Sequence, residues 1–218
     1  MISVIIPVLN SQAALPRCFD SLIGATVRGL VKEVVIADGG SSDDTLTIAD
    51  AAGCHVVRAD KSRASQWRAG AAQARGDWLL FLLPQTALEA GWENDAESFM
   101  SRATFERPRA ASFGFALDDF EAAARRREAM VAWRNWAFAL PYAEQGLLLP
   151  RRFYQKLGGH REIGHEDADL VRRIGRARLV QLRPKAINKP EPAQVRRGAL
   201  VALLHGLRVP ASVVAKIG

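Results

Sequence analysis

Three short stretches hold the residue types that could do chemistry. The first, Asp38-Gly39-Gly40-Ser41-Ser42-Asp43, follows an apolar run and opens a helical pattern. Glycines in such a turn let the backbone bend tightly and approach a ligand, and free N–H groups at a helix start favour anions. Asp38 would stand at a strand tip, where a carboxylate can accept hydrogen bonds from a base or ribose. The same hexapeptide also reads as an ordinary strand-to-helix turn with Ser and Asp as caps. The second stretch, Glu166-Asp167-Ala168-Asp169, opens another helical pattern. The helix macrodipole favours acids there whatever their role, with Val171 and Ile174 facing a core and Arg172 and Arg173 solvated. A carboxylate so placed can also take a proton from a hydroxyl. The third, DWLLFLLPQT at 77–86, reads as a buried strand that ends in Leu83, Pro84 and Gln85. Many nucleotide-using enzymes present metal-binding acids at such a strand end.

The elements that must position these residues alternate. Ser3–Leu9, Glu33–Ala37, His55–Arg58 and Trp78–Leu83 read as strands, separated by helical patterns near 15–23, 45–52 and 64–75. Continuous apolar strands alternating with helices predict an α/β fold, a mostly parallel sheet covered on both faces. Ligands in such sheets bind beyond the carboxyl ends of the strands, here Pro7–Asn10, Asp38–Ser42, Arg58–Asp60 and Pro84–Thr86. Farther on, strands are expected at 110–117, 146–149 and 179–182, a long Arg- and Trp-bearing helix at 118–140, and helices at 153–157 and 167–174. Pro184, Pro190 and Pro192 mark a break, giving a main domain over 1–185 and a helical appendage over 186–218. The amphipathic stretch Val195–Val209 either packs back on the domain or, with the helix around 125–138, lies on a membrane interface.

A chain of 218 residues, 49% hydrophobic and 24% charged, fits one globular domain with a core and a cleft. The net charge of +7 points to polyanionic partners such as nucleotide phosphates or anionic lipid. Nucleic-acid binding would rest on charge alone, without a recognisable module, and is not expected. Cys18 and Cys54 lack metal-type spacing, which fits a reduced, cytoplasmic chain. The first strand lacks the basic leader of a signal peptide, and no apolar run reaches the ~20 residues of a membrane span.

Pro7-Val8-Leu9-Asn10, then ADGGSSDDT, then Gly76-Asp77 before an apolar strand resemble family 2 glycosyltransferases of the GT-A fold. The second half, LPYAEQGLLL followed by RRFYQKLGG and HEDADLVRRIGR, is similar to a bacterial subgroup of that family with a Pro-Tyr-x-acid-Gln-Gly segment. The resemblance implies a nucleotide-sugar donor, with UDP the expected nucleotide, held by Pro7, Asn10, Asp38 and Gly39, with Arg63 and Gln85 nearby. It implies an inverting transfer with Asp167 as base and Glu166 as its partner or alternate, and an acceptor pocket at Tyr142, Glu144 and Gln145. Basic residues at Arg68, Arg172 and Arg173 would face the diphosphate, to which guanidinium is suited. His160 and His165 flank the acidic pair and are assigned no metal. A lipid-linked acceptor would bring the enzyme to the inner face of a membrane.

One departure decides how that chemistry is run. Family members end strand four with an acid-x-acid or His-x-acid triplet for Mg2+ or Mn2+; Leu83-Pro84-Gln85 stands here, and Ser11 replaces a frequent acid after Asn10. Hard cations prefer carboxylates, so weak or no metal dependence is expected. Arginines then supply the positive charge, or Gln85 and the donor phosphates hold a metal, or the chain is a non-catalytic nucleotide-sugar-binding or membrane-docking protein. A nucleotidyltransferase would depend on metal-binding acids still more.

Overall fold

The computed structural model describes residues 1–103, 106–163 and 166–189. His165 and the stretch Val195–Val209 therefore lie outside the described residues. The first part alternates β1 (Ile2–Val8), α1 (Leu15–Val27), β2 (Val31–Asp38), α2 (Thr45–Ala51), β3 (His55–Arg58), α3 (Arg63–Gln73) and β4 (Trp78–Phe81). There follow β5 (Thr86–Leu88), α4 (Trp92–Arg102), β6 (Ala110–Leu117), α5 (Ala122–Phe138), a 3-10 turn (Ala143–Gln145) and β7 (Leu147–Pro150). Helices α6 (Arg151–Lys156) and α7 (Glu166–Ile174) and strand β8 (Leu179–Asn188) complete the described chain.

All eight strands form one sheet in the order β3-β2-β1-β4-β7-β6-β8-β5. The β1–β2, β1–β4, β2–β3 and β6–β8 pairings are parallel, whereas β7 runs antiparallel between β4 and β6 and β5 pairs antiparallel with β8. The expected α/β sheet is present, mostly parallel, with antiparallel strands confined to its second half. Strand alternation explains the continuous apolar runs. Val4, Ile6 and Val8 pack with Leu15, Leu22 and Trp92 on one face, while Ile5 packs with Trp67, Phe153 and Leu170 on the other. A strand covered on both sides has no solvent face to be polar.

Pro7 is tolerated inside this sheet because of its position. Gly39 N–H donates to the Val8 carbonyl, so Val8 faces β2 and Pro7 faces the β4 side, where the register ends at Ile5↔Phe81. Its missing N–H falls beyond that ladder.

Several expected boundaries differ. Strand β4 stops at Phe81 rather than Leu83, because β7 pairs only to Phe81↔Leu147 and Thr86 N–H then donates to Leu83 O (3.0 Å) in a turn. The long helix starts at Ala122 rather than Asp118, and Ala139 at φ 50° ends it. Strand β8 continues to Asn188 because β5 and β6 both pair along it, so residues 186–188 belong to the sheet beyond the boundary set at 185. Helix α4 and strand β5 were not expected. The buried residues of α4, Trp92, Ala96 and Phe99, stand at i, i+4 and i+7, a helical spacing that the sequence carried, whereas β5 is three residues long.

Helix α3 lies close to the sheet: a Cβ on Gly70 would stand 2.4 Å from Ile5 Cγ2, whereas one on Gly24 of α1 meets nothing nearer than 3.8 Å. Alanine gains about 0.5–1 kcal/mol over glycine in a helix interior, and forced overpacking costs about 1–3 kcal/mol. Urea unfolding should therefore show Gly24→Ala more stable than the parent and Gly70→Ala less stable.

Candidate active site

The carboxyl ends of β1 and β2 carry two interlocked loops. Asp38, 2% exposed, accepts Gly40 N–H (3.1 Å) and Ser41 N–H (3.0 Å) on its two oxygens, which curls the glycine loop around the strand tip. Asn10, at φ 53°, accepts Ser42 N–H (2.8 Å) on Oδ1 and donates its backbone N–H to Ser41 Oγ (3.0 Å). Two further bonds link the loops: Gln12 N–H donates to Asp43 Oδ2, and Asp44 N–H donates to Gln12 Oε1. Asn tolerates the left-handed conformation better than most residues, which suits it to this corner. Pro7, Asn10, Asp38 and Gly39 thus lie together at one sheet edge.

Helix α3 ties this edge to the acidic pair. The buried Gln66 side chain donates to Val8 O (2.8 Å), and a Cβ on Gly39 would come within 2.6 Å of Gln66 Nε2. Position 39 is glycine because the amide fills the space. One turn earlier on α3, Arg63 Nη1 is 3.6 Å from Asp167 Oδ2 and Arg63 Nε is 3.8 Å from Glu166 Oε1. The first turn of α7 therefore faces the first turn of α3.

Asp167 lines a solvent-open cleft with Trp67, Phe81, Tyr142, Gly146 and His160. Gly146, at φ 63°, has no room for a Cβ, which would meet Leu82 Cδ2 at 2.8 Å. The Asp167 side chain is 23% exposed and its carboxyl is pushed up to about 6. Burial is the main cause, Arg63 opposes it, and Glu166 and Glu144 add like charge.

The other expected site residues divide. Tyr142 lines the cleft and lies over the buried Arg134 guanidinium, 3.7 Å from ring to cation. Glu144 accepts from Arg127 (3.0 Å) and is close enough to Asp167 to raise its proton affinity. Gln145, fully buried, donates to Phe113 O (2.8 Å) and accepts Tyr142 N–H (3.1 Å); it holds the 3-10 turn rather than lining the pocket. Arg173 was expected near a diphosphate. Instead it pairs with Asp169 (2.6 Å) and donates to the carbonyls of Leu157 and Gly159, fastening α7 to the loop after α6. Arg68 pairs with Glu162 (2.5 Å) at the surface, and Arg172 lies close enough to Arg134 to lower its pKa. Sequence reasoning missed Gln66, Trp67 and Arg134, and placed His160 only as a flanking residue. An amide, an indole and a guanidinium inside helices carry no local signal of being buried.

Leu83 is buried, and Gln85, partly buried, offers a neutral amide. Among the described residues no group of three His, Cys, Asp or Glu is placed to hold a metal ion. The side chains at this strand end do not fit a divalent cation held by protein carboxylates, which are the ligands hard cations prefer.

The sheet, its helices and the paired loops define the GT-A glycosyltransferase fold. Structures of this fold align over nearly the whole chain. Glucosyl-3-phosphoglycerate synthase from Mycobacterium tuberculosis, bound to Mn2+, uridine diphosphate and glucosyl-3-phosphoglycerate, superposes with a TM-score of 0.62 at 21% identity, covering 96% of this chain and 81% of the other. A mannosyltransferase from Pyrobaculum calidifontis bound to GDP-mannose and Mn2+ gives 0.68 at 14% identity, covering 95% and 64%. Residues 3–82 match the family model of glycosyl transferase family 2. Among curated proteins, a glycosyltransferase of PGL/p-HBAD biosynthesis from Mycobacterium tuberculosis is 38% identical over 89 residues, 38% of this chain and 34% of the relative. Glucosyl-3-phosphoglycerate synthase from the same species is 43% identical over 61 residues, 28% and 18%. The matched segment thus spans about a third or less of these curated relatives.

The raised Asp167 carboxyl has a consequence for stability. Its native-state pKa of about 6 lies above the ordinary 3.8, so between those values the native state binds more protons than the unfolded chain. Stability contributed by this group is present at low pH and lost as pH rises through about 6. Asp167→Asn should therefore stabilise the protein at pH 7.5 by about 1–3 kcal/mol, with the gain vanishing near pH 4. Urea unfolding at the two pH values measures this.

Proposed function

We propose that this chain is a glycosyltransferase that moves a sugar from a nucleoside-diphosphate donor, with uridine the favoured nucleoside, to an acceptor hydroxyl. The observation that carries the reading is Asp167, a cleft-lining carboxylate with raised proton affinity, joined through α3 to the Asp38–Asn10 loops. In this reading Asp38, Asn10, Gly39 and Pro7 form the nucleoside end of the site, with Gln85 beside them. The remaining lone pairs of Asp38 accept from a ribose or base, while the loop N–H groups it organises set the shape of the pocket.

At neutral pH a carboxyl that titrates near 6 is mostly ionised, yet more basic than an ordinary aspartate. That suits general base catalysis. The proton of the acceptor hydroxyl passes to Asp167 as the oxygen attacks the anomeric carbon, and the nucleoside diphosphate leaves from the opposite side with the bonding pair. Such a displacement inverts the anomeric centre. Glu166, on the same turn and beside Arg63, steadies the pair. Arg63, with its side chain 46% exposed, is the cation best placed to meet the leaving diphosphate, with Arg172 as a second candidate. Leu83, Pro84 and Gln85 supply no carboxylate for a metal ion, so in this reading the charge of the leaving group falls to the arginines. Tyr142 and Glu144 form the acceptor side.

A second reading concerns where the acceptor comes from. Phe120, Trp133 and Trp136 are 89%, 56% and 76% exposed along and just before α5, a helix that also carries Arg125 and Arg126. Exposed aromatics beside arginines suit an anionic membrane surface and hence a lipid-linked acceptor.

Calorimetric titration tests the donor site. UDP or a UDP-sugar should bind in EDTA, with affinity falling tenfold or more in Asp38→Ala; failure of both UDP and GDP to bind would sink the reading. Donor turnover should survive EDTA and be lost in Asp167→Asn while nucleotide binding persists. Binding without turnover in the parent would favour the non-catalytic binder, and full activity in Asp167→Asn would remove Asp167 as base. Sedimentation with phosphatidylglycerol vesicles, lost in a Trp133→Ala/Trp136→Ala double variant, would support the membrane reading.

A further inference from the structure

Asp167 has a neighbour that neither the nucleotide loops nor the acceptor side account for. His160, 2% exposed, sits in an aromatic box: its ring stacks on Trp67 (5.5 Å, 19° between planes) and meets the edge of Phe81 (4.9 Å, 84°). Its two ring nitrogens face different partners. Nδ1 is 3.0 Å from the Tyr154 hydroxyl, and Nε2 is 3.7 Å from Asp167 Oδ1.

The backbone bears on which nitrogen carries the proton. His160 N–H, which can only donate, points at the same Tyr154 oxygen at 3.1 Å. A phenolic hydroxyl has one proton to give. The oxygen already accepts the backbone N–H, and its one proton has Nδ1 within reach; the tautomer assigned below is the one in which Nδ1 accepts that proton and the ring proton resides on Nε2, facing Asp167. The separation to Oδ1 is longer than a hydrogen bond, and a small shift of the carboxylate at the start of α7 would close it.

We propose that Tyr154 and His160 form a relay that presents a neutral Nε2–H to Asp167 and thereby orients its carboxylate and tempers its proton affinity. His160 is a positioning residue, not the base itself. This deepens the transferase reading and rests on it for the catalytic role of Asp167; the relay itself is a statement about hydrogen bonding. A histidine only filling space here would leave the aromatic box poorer, since phenylalanine buries without a polar cost. The groups around it favour the neutral ring: burial first, then Arg173, Arg63 and Arg68, push its pKa down to about 3. Arg63 from α3, Glu166 from α7 and Glu144 from the 3-10 turn face Asp167 as well. Among these groups His160 offers a donor without a charge.

The experiment is a pair of NMR titrations on the full chain. Long-range nitrogen–proton spectra of the parent protein, which need no variant, should show His160 protonated at Nε2 and unchanged from pH 5 to 8. Carbon-13 titration of Asp167, assigned by its loss in Asp167→Asn, should give a midpoint that rises by at least half a unit in His160→Phe and in Tyr154→Phe. Tyr154→Phe keeps the ring and never touches Asp167, so a shift there reports the relay rather than packing. An Nδ1–H tautomer in the parent, or an Asp167 midpoint unmoved in both variants, would overturn the proposal. If turnover is observed, the acidic limb of its pH profile should move by the same amount with donor KM unchanged; a fixed limb would deny the relay its part in catalysis. Intact spectroscopic behaviour without any turnover would remove the transferase reading and leave the relay standing.

Discussion

One turn of α3 holds the two halves of the candidate site in register. The buried Gln66 amide needs an acceptor and finds it in the Val8 carbonyl, which also takes the Gly39 N–H at the end of β1. That reach fills the space above residue 39 and leaves room only for glycine. From the same turn Arg63 extends to Glu166 and Asp167. A change in the packing of α3 on β1 would therefore move the Asp38–Asn10 loops and the acidic pair together. The absence of a side chain at Gly70, in van der Waals contact with Ile5, is what lets the helix come so close.

The acidic pair is held against a stability gradient. Asp167 is partly withdrawn from water and close to Glu166 and Glu144, so its ionised form is disfavoured, and a single guanidinium offsets only part of this. Structures store such tension where a group has work to do. The neighbouring arginines show the contrast. Arg173 is saturated by Asp169 and two backbone carbonyls and serves to close the loop after α6, whereas Arg63 makes only long contacts with its acids and keeps much of its side chain in solvent.

The strand end at Leu83–Gln85 carries no carboxylate, and two solved structures that share the fold hold Mn2+. A leucine turned into the core and a neutral amide cannot supply the field of two carboxylates. Arg63 lies 3.6 Å from the cleft-lining Asp167, and Arg172 is close enough to the buried Arg134 to lower its pKa.

The alternation of apolar strands and helices over residues 1–83 was legible because each buried strand is apolar on both faces and each loop is marked by Asn, Asp or Gly. Asp38, Gly39, Asn10 and the Glu166-Asp167 pair could be singled out for the same reason: chemistry-bearing residues stood at predictable strand and helix ends. Helix α4 was legible in the i, i+4, i+7 spacing of Trp92, Ala96 and Phe99 but was not read, whereas strand β5 and the antiparallel insertion of β7 were not legible, since β5 is short and their partners are distant in sequence. Residue type also named Arg173 and Gln145 as ligands of substrate, whereas packing turned both toward backbone carbonyls. His160 shows the division most plainly. The sequence by itself placed a histidine beside an acidic pair; only the tertiary structure surrounded it with Trp67, Phe81 and Tyr154. Burial in that box keeps the ring neutral and gives one of its nitrogens a direction, because a proton's position is set by three-dimensional hydrogen bonding and not by neighbours along the chain.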